Sequence, residues 1–179
     1  MHPKKRIWLW LLILGGASVP ASYLHGMITY SESISGLWGG VPATLHPLYT
    51  VSMVLAAVGF FLFTGFILFH VDPERQRAGV FRGFGVFILL YALILIPSAL
   101  WMPLTLSYME RPSDLLWWTI RGVLFLVGLG SVGLFPALAA FRPEKHRIAF
   151  ALALSGLSFF CWQTAVLDAV VWPCFFPKP

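Results

Sequence analysis

Residues 48–69 read LYTVSMVLAAVGFFLFTGFILF and contain no charged side chain. An α-helix needs about 20 mostly apolar residues to cross the hydrocarbon core of a bilayer, so this stretch predicts a transmembrane helix. Stretches of similar length and composition at residues 7–29, 83–106, 115–141 and 148–172 give the same prediction. All five must be helical, because lipid offers no hydrogen-bond partner to exposed backbone groups.

The composition of the whole chain points to the same class of protein. Of its 179 residues, 59% are hydrophobic and 11% are charged, whereas about 25% are charged in a typical soluble domain. A soluble protein of this size has too little interior to hide so much apolar surface. The composition therefore excludes a soluble enzyme, a nucleic-acid-binding domain and a disordered chain. It predicts an all-α integral membrane protein, with one domain of five transmembrane helices.

The basic residues between the spans predict the orientation of the chain. Lys and Arg are in excess on the cytoplasmic side of membrane proteins. Arg111 and Lys178 lie on one side, and nine basic residues lie on the other: Lys4, Lys5, Arg6, Arg75, Arg77, Arg82, Arg142, Lys145 and Arg147. The N-terminus is therefore expected in the cytoplasm and the C-terminus outside, in a cell membrane of the bacterial inner-membrane type. Because topology explains the net charge of +5, we expect no nucleic-acid partner.

Two charged residues, Arg121 and Asp168, lie inside the predicted spans. At about 1.5 Å of rise per residue, both lie roughly 6–10 Å inside the outer leaflet. Small residues in spans four and five and the short link between them predict that these helices are neighbours. We therefore expect an ion pair between Arg121 and Asp168, with either a structural or a functional role. The alternative is that Arg121 extends to the outer headgroups and makes no pair.

Three more residues are predicted at the same outer level: His25, His46 and Trp101. Because lipid-facing charge is costly, we expect His25, Arg121 and Asp168 to point into the bundle, with Trp101 close to them. These five residues are our candidates for binding a ligand or a partner. We expect no metal site; the alternative is that His25 and His46 ligate a haem or a pigment.

The segment Leu100-Trp101-Met102-Pro103-Leu104 resembles the LW-x-P segment in the third helix of the TspO-type tryptophan-rich sensory proteins, which also have five helices and a comparable length. The resemblance covers these five residues and the topology. It implies porphyrin or sterol binding, with Trp101 near the binding site. The chain departs from the family in two places, because residues 37–42 read LWGGVP instead of a proline- and tryptophan-rich stretch and span five lacks the family's asparagine.

The sequence contains neither an HExxH nor a GxSxG motif, so the signatures of zinc peptidases and serine hydrolases are missing. This favours a non-enzymatic membrane protein that binds partner helices, lipid or a small apolar ligand, alone or as an accessory subunit of a larger membrane complex. The alternatives are a small transporter using the Arg121/Asp168 pair, a TspO-like porphyrin or sterol binder, and a haem- or pigment-ligating membrane subunit. The sequence identifies no cofactor.

Overall fold

A computed structural model describes residues 2–31, 34–72, 83–141, 143 and 145–178. Within these ranges the chain is helical and has no strand. Five helical stretches of the described residues are long and apolar enough to cross a membrane. Four are the uninterrupted helices α1 (Pro3–Thr29), α2 (His46–His70), α3 (Gly85–Glu110) and α4 (Asp114–Ala139). The predicted all-α architecture is confirmed, and each helix matches its predicted span to within about one turn at either end.

The fifth stretch, Arg147–Phe175, changes its helix type along its length. It begins as α5 (Arg147–Cys161), continues as a π-helical segment (Trp162–Val171) and ends with a short helix, α6 (Trp172–Phe175). In a π-helix the backbone bonds run from i to i+5, and such segments are rare and frequently lie at functional sites. The sequence predicted an ordinary α-helix here, and the difference changes which side chains share a face.

Local sequence explains where α4 begins. The Ser113 side chain accepts a hydrogen bond from the Leu116 backbone N–H at 3.3 Å, as expected of an N-cap residue. Asp114 occupies the first turn, where a negative charge is favoured by the partial positive charge of the helix N-terminus. The residues at 113 and 114 therefore account for the start of α4.

The helices pack in the neighbour order α1–α3–α4–α5–α2. The predicted contact between the fourth and fifth spans is confirmed, since the Cys161 thiol donates to the Ser131 carbonyl at 3.2 Å and the Thr164 hydroxyl donates to the Ser131 hydroxyl at 2.7 Å. The helices α2 and α5 approach most closely at Gly59 and Gly156, where a Cβ on either glycine would meet the backbone of the other. Small residues permit this distance, as in many transmembrane helix pairs.

The bundle has two ends with different contents. The end where α1 starts and α2 finishes holds a large apolar core that includes Trp8, Phe63 and Tyr91; we call it the N-terminal end. The opposite end, where α1 finishes and the chain itself finishes, holds a smaller aromatic core that includes Tyr49 and Trp172; we call it the C-terminal end. The orientation predicted from the basic residues puts the C-terminal end outside.

Helix α1 is the least buried helix of the bundle. Two of its residues, Trp8 and Gly26, are buried, and it packs along α3. Its remaining apolar residues are largely exposed, Trp10 and Leu14 among them. Helices with few buried contacts open more readily than the core of a fold, so α1 is the helix best suited to move.

Candidate functional site

Five side chains from four parts of the fold, near the C-terminal end, are linked by a hydrogen bond, a ring contact and electrostatic interactions. They are Asp168 and Gln163 from the π segment, Tyr23 from α1, Tyr49 from α2 and Trp101 from α3. We call them the carboxylate cluster. Asp168 is half-buried and Gln163 is buried, with 5% of its surface exposed.

The π segment itself brings the carboxylate and the amide together. The Gln163 Nε2 donates a hydrogen bond to Asp168 Oδ1 at 2.7 Å. In an α-helix, at about 100° per residue, side chains five positions apart point in directions about 140° apart. The i to i+5 repeat of a π-helix places them above one another instead. The Gln163–Asp168 bond therefore depends on the local departure from α-helical geometry.

Aromatic side chains extend the cluster beyond this bonded pair. The ring centroids of Tyr23 and Trp101 lie 5.8 Å apart, and those of Trp101 and Trp172 lie 5.9 Å apart with the planes at 73°. The Tyr23 and Tyr49 hydroxyls are both close enough to Asp168 to interact with it electrostatically. The Tyr49 hydroxyl donates to the Leu167 carbonyl at 3.3 Å, so the ring is fixed beside the π segment.

Two buried polar atoms of the cluster have no hydrogen-bond partner among the described residues: Gln163 Oε1 and Trp101 Nε1. The amide nitrogen of Gln163 is used by Asp168, so its oxygen is left as a free acceptor. Leaving a buried polar atom unpaired costs about 1–3 kcal/mol, so native proteins keep few of them. The cluster therefore carries unused hydrogen-bonding capacity in an interior position.

The expected ion pair between Arg121 and Asp168 does not form in the described part of the chain. The Arg121 guanidinium lies instead over two rings of its own helix, 5.9 Å from the Trp117 ring centroid and 6.0 Å from that of Trp118. The hydrogen-bond partner of the Asp168 side chain is Gln163. This arrangement corresponds to the alternative in which Arg121 makes no pair.

The two side chains point in different directions, which explains why no ion pair forms although Arg121 and Asp168 lie at similar depths in the bundle. In a helix the Cα–Cβ bonds tilt toward the N-terminus. The N-terminus of α4 lies at the C-terminal end of the bundle, whereas α5 starts at the opposite end. The Arg121 side chain is therefore directed toward the bundle surface and that of Asp168 toward the bundle middle. The predicted ion pair was based on the similar depths of the two Cα atoms and did not take account of the opposite tilt of side chains on antiparallel helices.

The two histidine candidates lie outside the carboxylate cluster. His25 is exposed on α1, contrary to the expectation that it points into the bundle. The His46 ring stacks on Trp38 with centroids 4.1 Å apart, and its Nε2 lies 3.0 Å from the Val41 carbonyl oxygen. His46 thus helps to hold the loop that precedes α2. Among the described residues, no group of three His, Cys, Asp or Glu side chains is arranged to hold a metal ion.

The loop before α2 is fastened to the end of the chain. The Trp172 indole N–H donates to the Leu37 carbonyl at 2.9 Å, and the Gly40 backbone N–H donates to the Phe175 carbonyl at 2.9 Å. Gly39 has a positive φ of 57° and lies against Phe176, so a side chain there would be both strained and obstructed. The loop covers the C-terminal end of the bundle next to the carboxylate cluster.

Sequence reasoning singled out Asp168 and Trp101 but missed Gln163, Tyr23 and Tyr49. A signal was present for Gln163, because it is the one amide side chain within the predicted spans, and a polar residue there is costly unless it is paired or used. The two tyrosines carried no such signal, since aromatic residues are common near the ends of spans.

The cluster presents several kinds of chemical group. It offers a carboxylate, a free amide oxygen, a free indole N–H and aromatic faces from different helices.

Comparison of the chain with protein-family models, with curated proteins and with solved structures gives no match.

Proposed function

We propose that this chain is a non-enzymatic, multi-pass cell-membrane protein that binds a small, largely apolar ligand at the carboxylate cluster. In this proposal it resides in a bacterial inner membrane with its N-terminus in the cytoplasm, so the cluster opens toward the outside. Trp101 and Asp168 contact the ligand, and Gln163 orients the Asp168 carboxylate.

The observation that supports this function most directly is the unused hydrogen-bonding capacity of a buried amide beside a carboxylate. Gln163 Oε1 has no partner among the described residues, although its side chain is 5% exposed. An unpaired buried acceptor is destabilising, so a chain selected for stability alone would be expected to pair Gln163 Oε1 as well as Gln163 Nε2. A bound molecule that supplies the missing donor accounts for the retention of Gln163.

The three alternative functions predicted from the sequence differ in how well they fit the positions of the described side chains. The transporter alternative rested on an Arg121/Asp168 pair, which does not form among the described residues. The haem alternative rested on inward-facing histidines, and His25 is exposed. The TspO-like alternative stands as a proposal about the ligand class, since Trp101 belongs to the cluster, 5.8 Å from Tyr23 between ring centroids.

A second candidate function, that of an accessory subunit, is favoured by the exposed side of α1. Gly16 has no atom within 4 Å of the position that a Cβ would occupy, and Ala17 and Ser18 beside it are exposed. Small residues of this kind allow a second helix to approach closely. In this proposal a partner helix packs along α1.

Native mass spectrometry after mild extraction distinguishes the two candidates. For a ligand-binding protein we expect a small-molecule adduct on the wild-type chain that is lost in Trp101→Ala. The matched control is Trp10→Ala, which removes an exposed indole from α1 and should leave the adduct in place. A stoichiometric protein subunit without any small-molecule adduct would support the accessory function and contradict ligand binding.

The orientation is tested with reporter fusions. A reporter placed after Lys178 should be accessible from outside, and one inserted next to Gln76 should be accessible from the cytoplasm, because the basic loops remain on the cytoplasmic side. Protease protection in intact cells and in opened cells measures both. The reverse pattern would place the cluster on the cytoplasmic side and contradict the proposed orientation.

A further inference from the structure

The polar atoms of the carboxylate cluster are dominated by acceptors. The Asp168 side chain receives one hydrogen bond, from a neutral amide. The same amide leaves its own oxygen, Gln163 Oε1, as a second acceptor. No Lys or Arg among the described residues pairs with Asp168, because Arg121 lies over Trp117 and Trp118 instead. The described residues therefore supply no positive charge to these two acceptors, and the Trp101 indole N–H is an unpaired donor of the same cluster.

The aromatic residues around Asp168 supply a complementary feature. Tyr23, Trp101 and Trp172 form a continuous series of ring contacts, with centroid distances of 5.8 Å and 5.9 Å. Aromatic faces attract cations, and several faces together with a carboxylate form the usual recognition site for an ammonium group. The same rings provide apolar area for the remainder of an amphiphilic molecule.

We propose that the ligand of the carboxylate cluster is an amphiphilic amine. Its protonated nitrogen binds Asp168 and Gln163 Oε1, and its apolar body lies against the rings of Tyr23, Trp101 and Trp172. This inference rests on the proposed function and specifies the ligand class. It disfavours an anionic ligand such as a porphyrin carboxylate, because two acceptors at the site would face a negative charge.

A metal ion satisfies the same acceptors less well. A calcium ion takes six to eight oxygen ligands, whereas the cluster provides one carboxylate and one free amide oxygen. The described residues also contain no group of three His, Cys, Asp or Glu side chains for a transition metal. An ammonium group needs only two or three acceptors and makes use of the aromatic rings.

The ammonium group has two chemical sources: a free amphiphilic amine or the headgroup of phosphatidylethanolamine. Asp168 lies seven residues before Phe175, the end of the fifth span, which corresponds to about 10 Å of helix. A phospholipid headgroup at that depth also brings its phosphate close to Asp168. The depth therefore favours the free amine, and the lipid arm of the experiment separates the two sources.

The test uses the purified full chain in nanodiscs of phosphatidylglycerol, a lipid without an amine. Two probes are compared: dimethyl(phenylbutyl)amine and its uncharged isostere, in which a CH group replaces the nitrogen. Binding is followed by tryptophan fluorescence, because Trp101 and Trp172 lie in or next to the cluster. We expect the amine to bind the wild-type chain about tenfold or more tightly than the isostere, as is typical of a charge-assisted contact.

Two carboxylate variants locate the binding. Asp168→Asn should remove the preference for the amine while the isostere still binds. The control variant Asp114→Asn removes an exposed carboxylate at the same end of the bundle. It should keep the preference for the amine, which would show that the loss in Asp168→Asn is not a general loss of attraction for cations. A second set of nanodiscs contains phosphatidylethanolamine. If this lipid weakens amine binding to the wild-type chain but not to Asp168→Asn, the lipid headgroup is the natural source of the ammonium group.

The outcomes separate this inference from the proposed function. Equal binding of both probes to the wild-type chain, lost in Trp101→Ala, overturns the amine class and leaves ligand binding at the cluster supported. A preference for the amine that persists in Asp168→Asn also overturns the inference. Absence of binding by either probe, together with absence of any co-purified small molecule, overturns both. The wild-type comparison of the two probes needs no variant, so a misfolded variant does not remove the test.

Discussion

The two ends of the bundle use similar side chains but pair their polar groups differently. At the N-terminal end, Trp8 and Tyr91 are fully buried, edge to face at 5.2 Å, and the Tyr91 hydroxyl shares a hydrogen bond of 2.8 Å with Thr64. At the C-terminal end, Trp101 and Asp168 are half-buried, and the carboxylate has a single neutral donor. Both ends hold unpaired buried ring N atoms, but the carboxylate and the unpaired amide oxygen lie together at the C-terminal end.

Burial of an unpaired polar atom therefore does not by itself identify a binding site in this bundle. Trp8 Nε1 also lacks a partner among the described residues, but its neighbours Phe84 and Tyr91 fill the space around the ring. The C-terminal end combines unpaired atoms with a carboxylate and a π-helical segment. The combination, and not any single unpaired atom, distinguishes a binding region from a structural core.

The largest effect is expected from Trp8→Ala at the N-terminal end. Trp8 is 0% exposed and is one of two buried residues of α1, so its loss removes most of the packing that holds this helix at that end. Such truncations cost about 3–5 kcal/mol in protein cores. Thermal unfolding in mild detergent should show a large loss for Trp8→Ala and little change for Trp10→Ala, whose indole is 59% exposed. Equal losses would mean that the N-terminal end is not a packed core.

The next effect concerns the glycine contact midway between the two ends. Gly59→Ala puts a methyl group against the backbone of Gly156, and overpacking of this kind costs about 1–3 kcal/mol. Gly65→Ala, on the same helix with no atom within 4 Å of the new Cβ, should be neutral or slightly stabilising because alanine favours helix. Denaturant unfolding of both variants measures the difference. If Gly59→Ala is as stable as Gly65→Ala, α2 and α5 are not in contact there.

A smaller effect is expected from Tyr91→Phe, which removes one hydroxyl from the N-terminal end. Its partner, the buried Thr64 hydroxyl, then loses a hydrogen bond worth about 1 kcal/mol. The double variant Tyr91→Phe with Thr64→Val should be less destabilised than the sum of the single changes, because no hydroxyl is then left unpaired. A double-mutant cycle measures this coupling, and strictly additive losses would show that the bond contributes nothing.

The smallest effect is expected from Asp168→Asn at the C-terminal end. This change removes a half-buried charge that has no cationic partner among the described residues, so the unliganded protein should be equally stable or slightly more stable. The coupling between Asp168→Asn and Arg121→Gln should be below about 0.5 kcal/mol, as for independent sites. A loss of about 3 kcal/mol in Asp168→Asn, restored by Arg121→Gln, would instead show a buried ion pair.

Features that depend on residues close together in the sequence could be predicted, whereas features that depend on contacts between helices could not. The spans and the Ser113 cap follow from local chemistry, because hydropathy over about 20 residues and one side chain at a helix start determine them. Asp168 could be selected as a candidate because a charge in a span is costly, and Trp101 because it is predicted at the same outer level. Their partners could not be selected, since Tyr23 and Tyr49 come from other helices and look like ordinary aromatic residues near span ends.

The amino-acid sequence was sufficient to predict five helices long and apolar enough to cross a membrane and to single out the one acidic residue within the fifth of them. These properties depend on composition and on contacts within a few residues. Only the tertiary structure decided that Asp168 bonds Gln163 and that Arg121 turns away to Trp117 and Trp118. The reason is geometric: the π segment alters the angular spacing of side chains, and antiparallel neighbours direct side chains of equal depth toward opposite ends. Neither effect can be recognised from residue types or from a fixed helical period.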